Sequence, residues 1–186
     1  MSVPSLTGSD PLLESWQVER PRGLRDPSFS IDEVSVFVYR SPIAHPVVTS
    51  FGIMHDRPAV LVRVRDAGGA LGWGEVWCNF PACGAEHRAR LVETVLAPLL
   101  TGRVFSDPAD ATLALERAVY TLALQTAEWG PLAQAVAGVD IALWDLVCRR
   151  EGVRLYQALG GQRDRVPAYA SGINPGDAVA SIERCR

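Results

Sequence analysis

The stretch AVAGVDIALWDL, from Ala135 to Leu146, is the part of the chain that decides its fold class. As a helix it is apolar on nearly every side, a pattern typical of a helix buried in a core. It nevertheless contains Asp140 and Asp145. At about 100° per residue the two carboxylates lie about 140° apart, so a straight helix does not bring them to one site. We predict structural roles for both, since a buried carboxylate needs hydrogen bonds or an arginine.

Three segments before this helix alternate between two faces in the manner of strands. They are IDEVSVFVYR (Ile31 to Arg40), AVLVRVRD (Ala59 to Asp66) and LGWGEVW (Leu71 to Trp77). The Ala-Gly-Gly at residues 67–69 signals a hairpin turn, because glycine reaches positive φ without a Cβ clash. We therefore predict a three-stranded antiparallel meander. Residues 41–58 are interpreted as a loop, since they contain three prolines.

The segments after the meander change to helical spacing. Asp107-Pro108 predicts a helix start, with an N-cap residue followed by proline at the first helical position. The predicted elements are helices at 85–100, 107–126 and 130–152, a helical turn at 155–161, a strand at 166–172 and a helix beginning at Pro175. Three strands and three helices, followed by a strand and a helix, indicate an α+β domain that leads into an α/β unit.

Composition narrows the classes of function. The 186 residues carry a formal net charge of −3, which gives no electrostatic footprint for nucleic acid or an anionic membrane. No apolar run in the sequence approaches the roughly 20 residues of a membrane helix. The first residues lack the basic and apolar regions of a secretory signal, and the four cysteines are not spaced like a disulfide framework. We expect a cytoplasmic protein with no nucleic-acid or membrane partner.

One motif suggests a metal site and is rejected. The spacing Cys78-x4-Cys83-x3-His87 departs from that of common structural zinc sites, and a fourth ligand is not obvious. We interpret these residues as loop cysteines beside a helix start. A lone histidine is more often a surface residue than a catalytic one, but a substrate role for His45 or His55 stays open.

Several strings agree, in order and spacing, with one known family. They are GPLAQAVAGVDIALWDL, GVRLYQALGG and VPAYASG, together with PIAHPVVTSFG, RPAVLVRVRD and LGWGEVW. The sequence resembles the mandelate racemase and muconate lactonizing enzyme family of the enolase superfamily, from about Ile31 to the chain end. The resemblance implies an enolase-like N-terminal capping domain, with a three-stranded meander and a helical bundle, packed over a TIM-type (β/α) barrel. It assigns residues 30–160 to the capping domain and residues 161–186 to the beginning of a truncated barrel. Residues 1–29 contain four prolines and no sustained periodicity, so we interpret them as a flexible extension.

The resemblance also implies a chemistry. Members are racemases, epimerases, cycloisomerases or dehydratases of hydroxy or sugar acids, and they stabilise an enediolate with Mg²⁺. Their metal ligands and lysine base lie on later barrel strands. A TIM barrel needs about 250 residues, whereas 21 remain from Val166 to Arg186, and all 18 basic residues of the chain are arginine. We therefore expect no catalytic residue and no metal ligand in this chain, which should be inactive alone.

For the complete enzyme the resemblance implies an isomerase or lyase that binds a small-molecule carboxylate and forms a homo-oligomer. The alternative is a protein of another class, either a non-catalytic remnant or a stand-alone binding domain.

Within the cap, the resemblance points to two loops, residues 41–58 and 77–84, that close over the barrel mouth and shape the substrate pocket. A loose alignment gives Asn79, or its neighbours, the place of a tyrosine in mandelate racemase, which favours a polar substrate over an aryl hydroxy acid. Ser171 ends the first barrel strand, at the catalytic rim. The alternative for each candidate is an ordinary loop residue. The candidate substrate-binding residues are Val47, Thr49, Met54, Asn79, Phe80 and Ser171.

Overall fold

The structure, a computed structural model, describes residues 23–50, 52–169, 179, 182 and 183. Four strands and a set of helices make up this part of the chain. The strands are β1 (Phe29–Thr49), β2 (Gly52–Asp66), β3 (Leu71–Val76) and β4 (Val104–Phe105). The helices are α1 (Gly84–Leu91), which continues through the π-helical segment Val92–Leu96 into α2 (Ala97–Leu100), then α3 (Pro108–Thr126), α4 (Trp129–Glu151) and α5 (Leu155–Ala158).

The strands form one antiparallel sheet in the order β3-β2-β1-β4. The predicted meander is confirmed, and the α+β fold class with it. The inner face of the sheet contributes fully buried valines to the core, among them Val60, Val62 and Val76. Strand β4 was not predicted because its two residues are too few to show an alternating pattern.

Residues 41–49 and 52–58 are not a loop, contrary to the prediction. They lengthen β1 and β2 into a hairpin that extends beyond the rest of the sheet, because β3 pairs only with residues 60–65 of β2. The ladder is irregular between Pro42 and Val47, which is where Pro46 lies. Proline lacks an N–H group, and strands tolerate it at edges and bulges. A ribbon of two strands with a bulge therefore accepts prolines that a central strand would not.

The predicted helix ends agree with the structure. The Asp107 Oδ1 atom accepts a hydrogen bond from the Asp110 amide at 2.8 Å, and Pro108 is the first residue of α3. Helix α4 begins at Trp129, one residue before the predicted start, and its last residue, Glu151, is followed by the capping residue Gly152 with φ at +67°. The predicted strand at 166–172 is not present at 166–169. No described strand lies beside these residues to complete their backbone hydrogen bonds, and residues 170–172 lie outside the described part.

Helix α4 is long and apolar enough, by length and composition, to cross a membrane. The core helix of a globular domain passes the same test, and 61% of the most apolar window of α4 is buried inside the fold. Large side chains such as Leu132, Leu143 and Leu146 are almost fully buried. We therefore assign α4 to the core.

Strand β3 and helix α4 meet backbone to backbone through glycine. A Cβ atom on Gly72 would lie 2.1 Å from the carbonyl oxygen of Ala142, and one on Gly74 would lie 2.0 Å from that of Gly138. In the reverse direction, a Cβ atom on Gly138 would lie 2.3 Å from Val76 Cγ2. Any side chain at these positions would force the strand and the helix apart, so glycine is required by close approach rather than by backbone conformation.

The two aspartates of the quoted stretch bond to different neighbours, as predicted. The Asp145 Oδ2 atom accepts a hydrogen bond from the backbone amide of Trp73 in the edge strand β3 at 2.9 Å, and Arg149 lies 3.5 Å away. The Asp140 Oδ1 atom accepts from the Thr112 hydroxyl of α3 at 2.6 Å. Each carboxylate thus ties α4 to a separate element, and neither shares a site with the other.

Replacing Gly74 with alanine tests the close contact. We expect Gly74→Ala to lower the free energy of unfolding by an amount at the upper end of about 1–3 kcal/mol, because the clash is with backbone and cannot be relieved by a rotamer change. Urea denaturation of this chain measures the loss. The matched control is Gly130→Ala, since a Cβ atom there meets nothing within 4 Å. It lies in α4 and should be neutral or stabilising by up to about 1 kcal/mol. Equal effects of the two changes would contradict the contact.

Replacing Asp140 with asparagine tests the cost of its burial. Burial raises the pKa of Asp140 above its ordinary value of 3.8, against the opposing effect of hydrogen bonds from Thr112 and Trp144. Glu116, on α3, also has a raised pKa, first through burial and then through the charge of Asp140. A folded-state pKa above the unfolded one means that the folded state binds the proton more tightly, so stability falls as pH rises through this range.

Asparagine keeps an acceptor for Thr112 and cannot ionise. The free energy of unfolding of Asp140→Asn, minus that of the parent chain, should therefore increase with pH and then level off. Urea denaturation at several values from about pH 4 to about pH 8 measures this difference. Asp145→Asn is the contrast, and it should be destabilising because it weakens the bond to the Trp73 amide and the contact with Arg149. A constant loss of stability in Asp140→Asn at every pH would contradict the interpretation.

Candidate functional site

A small cavity lies where the β1–β2 hairpin meets the loop that follows β3. Its volume is about 140 Å³. Both walls come from segments that leave the sheet, the hairpin ribbon on one side and residues 79–82 on the other. The lining residues are Arg40, Ile53, Met54, His55, Asp56, Pro58, Asn79, Phe80 and Ala82.

The structure brings three of the predicted substrate-binding residues to this cavity. Met54, at 8% exposure, lies on the hairpin, while Asn79 and Phe80 lie on the opposite wall and are half-buried. The ring of Phe80 also approaches the hairpin tip, since a Cβ atom on Gly52 would lie 3.6 Å from Phe80 Cε1. Two segments that are distant in sequence therefore form one surface.

The other predicted residues occupy different places. Val47 is the cross-strand partner of Met54, and the Thr49 hydroxyl donates a hydrogen bond to the Gly52 carbonyl at 3.0 Å. Both lie in the hairpin but do not line the cavity. Ser171 lies outside the described residues. A role in substrate binding stays a prediction for all six.

Arg40 is the central polar group of the cavity, and sequence reasoning missed it. Its Nη1 atom donates to both carboxylate oxygens of Asp56, at 3.2 and 3.0 Å. Its Nε and Nη2 atoms donate to Glu86 Oε1 and Oε2, at 2.9 and 2.7 Å, and Nη2 also donates to the Ala82 carbonyl at 2.7 Å. In the sequence Arg40 is recognisable only as an arginine at the end of a predicted strand. Its partners Asp56, Ala82 and Glu86 lie 16, 42 and 46 residues away, so no local pattern reveals the cluster.

The charges of this cluster stabilise one another. The hydrogen bonds that Arg40 donates to Glu86 and then to Asp56 raise the pKa of Arg40, and the bond with Arg40 is the main reason that the pKa of Glu86 is lowered. Nearby, burial raises the pKa of the Cys78 thiol, which favours the neutral form. The thiolate is the nucleophilic form of cysteine, so a neutral buried thiol is a poor nucleophile.

Within the described residues, no group of three or more His, Cys, Asp and Glu side chains could hold a metal ion. The residues of the rejected zinc motif have separate surroundings. Cys78 is buried and Cys83 is exposed, while the His87 Nε2 atom lies 3.1 Å from Glu128 Oε1. The described side chains therefore do not supply a metal centre at this cavity.

An antiparallel sheet covered by a helical bundle, with two extended segments that meet over a small cavity, defines an enolase-like capping domain. The chain belongs to the mandelate racemase and muconate lactonizing enzyme family. Residues 32–160 match the family model described as the mandelate racemase / muconate lactonizing enzyme N-terminal domain. The family predicted from the sequence is confirmed.

Known proteins of several activities are similar to this chain. A mandelate racemase/muconate lactonizing enzyme from Bordetella bronchiseptica is 57% identical with a TM-score of 0.75, over 85% of this chain and 40% of that one. A D-galactonate dehydratase from Pectobacterium atrosepticum is 35% identical, over 67% of this chain and 31% of its own length. An enolase from Bradyrhizobium, solved with magnesium and mandelic acid, is 25% identical with a TM-score of 0.64, over 78% of this chain and 38% of that one.

The chain spans only a part of such proteins. For three curated relatives the matched share of their own length is 40%, 41% and 31%. The similarity therefore establishes the capping domain.

Proposed function

We propose that this chain is the capping part of an enzyme that racemises, epimerises or dehydrates a hydroxy acid or sugar acid through a Mg²⁺-stabilised enediolate. The observation that carries the proposal is that the β1–β2 hairpin and the loop after β3 meet, with Met54, Asn79 and Phe80 around one cavity. In the complete enzyme this cavity would form the cap side of the substrate pocket. The catalytic barrel would lie outside the described residues, and the enzyme would be a cytoplasmic homo-oligomer.

The described side chains do not fit a Mg²⁺ site, since no suitable group of acidic or imidazole ligands is found among them. The metal would be held elsewhere in the complete enzyme. Support for Mg²⁺ and for a carboxylate substrate comes from the Bradyrhizobium relative, which was solved with magnesium and mandelic acid. The role of this chain would be to bind the distal part of the substrate and to exclude water.

The chemistry of the cavity favours a substrate with hydroxyl groups. The Asn79 amide both donates and accepts hydrogen bonds, which suits a hydroxyl, while Met54 and Phe80 cover the carbon chain. Arg40 does not serve as a carboxylate anchor, because its donors already bond to Asp56, Glu86 and Ala82. The likeness to a D-galactonate dehydratase also supports a sugar acid.

The direct test uses the complete polypeptide, expressed from the coding sequence continued past Arg186. Proton NMR in D₂O follows the signal of the proton alpha to the carboxylate for a panel of hydroxy acids and sugar acids. We expect exchange or elimination of that proton with at least one acid, dependent on added Mg²⁺, and no turnover by the 186-residue chain. A folded complete polypeptide that leaves every acid unchanged would contradict the proposal and support a non-catalytic binding protein.

A variant pair tests the cavity itself. Asn79→Leu should raise KM for a polyhydroxylated substrate about tenfold, the equivalent of about 1.4 kcal/mol for a lost hydrogen bond to substrate. The control is Val48→Ala, at an exposed hairpin position that does not line the cavity. It should leave both kcat and KM unchanged. An unchanged KM in Asn79→Leu would show that Asn79 does not contact the substrate.

A further inference from the structure

The side chain of Arg40 bonds to residues in three other segments of the chain. It lies on β1, Asp56 lies on β2, Ala82 lies in the loop after β3, and Glu86 lies in the first turn of α1. Arginine has five N–H groups in a planar fork. Five hydrogen bonds of 2.7 to 3.2 Å match them.

Much of the hairpin lies beyond the part of the sheet that β3 completes. Residues 52–58 of β2 pair with β1 alone, since β3 pairs only with residues 60–65. A ribbon of two strands that extends beyond its sheet bends and twists easily. The bonds from Arg40 to Ala82 and Glu86 cross from this ribbon to the opposite side of the cavity.

The contribution of these bonds to global stability should be small. The side chains of Arg40, Asp56 and Glu86 are 31%, 38% and 53% exposed, so water and salt screen their charges. Ion pairs of this kind contribute about 0–1 kcal/mol. A planar fork that bonds to three segments at once nevertheless fixes their relative geometry.

From these contacts we propose that Arg40 is a positioning residue for substrate selection, which holds the hairpin and the loop of residues 77–83 at one separation. That separation sets the width of the cavity between Met54 and Asn79. The inference rests on the proposed function for its effect on substrate. Its structural half is that Arg40 holds the two segments together, and this half can be tested without an assay of enzyme activity.

The structural half is tested by hydrogen–deuterium exchange on this chain. In Arg40→Met, the peptides that cover residues 41–58 and 77–83 should both exchange at least about tenfold faster, because the loss of one fork releases both segments. Glu86→Gln keeps the size of the side chain and removes its charge, so it should give a smaller change in the same peptides. The matched control is Arg90→Met, which removes a surface bridge to Glu93 within one helical segment. It should alter neither region.

The functional half is tested on the complete polypeptide with its substrate. Arg40→Met should raise KM about tenfold while kcat stays within about threefold, the pattern of lost binding rather than lost chemistry. The thermal midpoint should match that of Arg90→Met, which separates positioning from general destabilisation.

The outcomes separate the two proposals. Unchanged exchange in both peptides would overturn the positioning role, whatever the activity. Faster exchange in Arg40→Met with an unchanged KM would overturn the link to substrate selection. A fall in kcat alone would assign Arg40 to the chemistry instead. A complete polypeptide with no activity would contradict the proposed function, and the exchange experiment would still decide whether Arg40 holds the two segments together.

Discussion

Strand β3 lies so close to helix α4 that a Cβ atom on Gly74 would come within 2.0 Å of the Gly138 carbonyl oxygen. This approach holds the edge of the sheet against the central helix, and the bond from the Trp73 amide to Asp145 secures it. The loop of residues 77–83 follows β3 directly in the chain. The point from which one wall of the candidate site begins is therefore fixed by close backbone packing, and packed interiors deform little.

The other wall is built differently. The β1–β2 hairpin extends past the sheet as a ribbon, and its attachment to the rest of the fold is polar and partly exposed. Binding residues are often carried on extended segments that a rigid scaffold positions. In this domain strand β3 is fixed by packing against α4, and the guanidinium of Arg40 bonds to both the hairpin and the loop of residues 77–83.

Local signals in the sequence were sufficient for much of the fold. Asp107-Pro108 marked a helix start and Gly152 a helix end, and both positions agree with the structure. These features depend on residues within one turn of each other. The prolines at 42 and 46 led to the wrong prediction of a loop. A strand accepts proline where no neighbouring strand needs a hydrogen bond from that position, and local sequence does not show where that is the case.

The site was predicted only in part, for a related reason. The family resemblance pointed to Met54, Asn79 and Phe80, which line the cavity, but also to Val47 and Thr49, which do not. Arg40 went unrecognised because its partners are brought near only by the fold, up to 46 residues away in sequence. Similarly, the requirement for glycine at 72, 74 and 138 follows from a contact between elements and not from any turn.

A crystal structure of the complete polypeptide with Mg²⁺ and a bound hydroxy acid or sugar acid would test most directly whether this domain forms part of the substrate pocket. We expect the end of the ligand that is distant from the metal to lie within about 4 Å of Met54, Asn79 or Phe80, the range of direct contact. A ligand enclosed by the barrel alone, with the cavity between the hairpin and the loop of residues 77–83 away from it, would contradict that role.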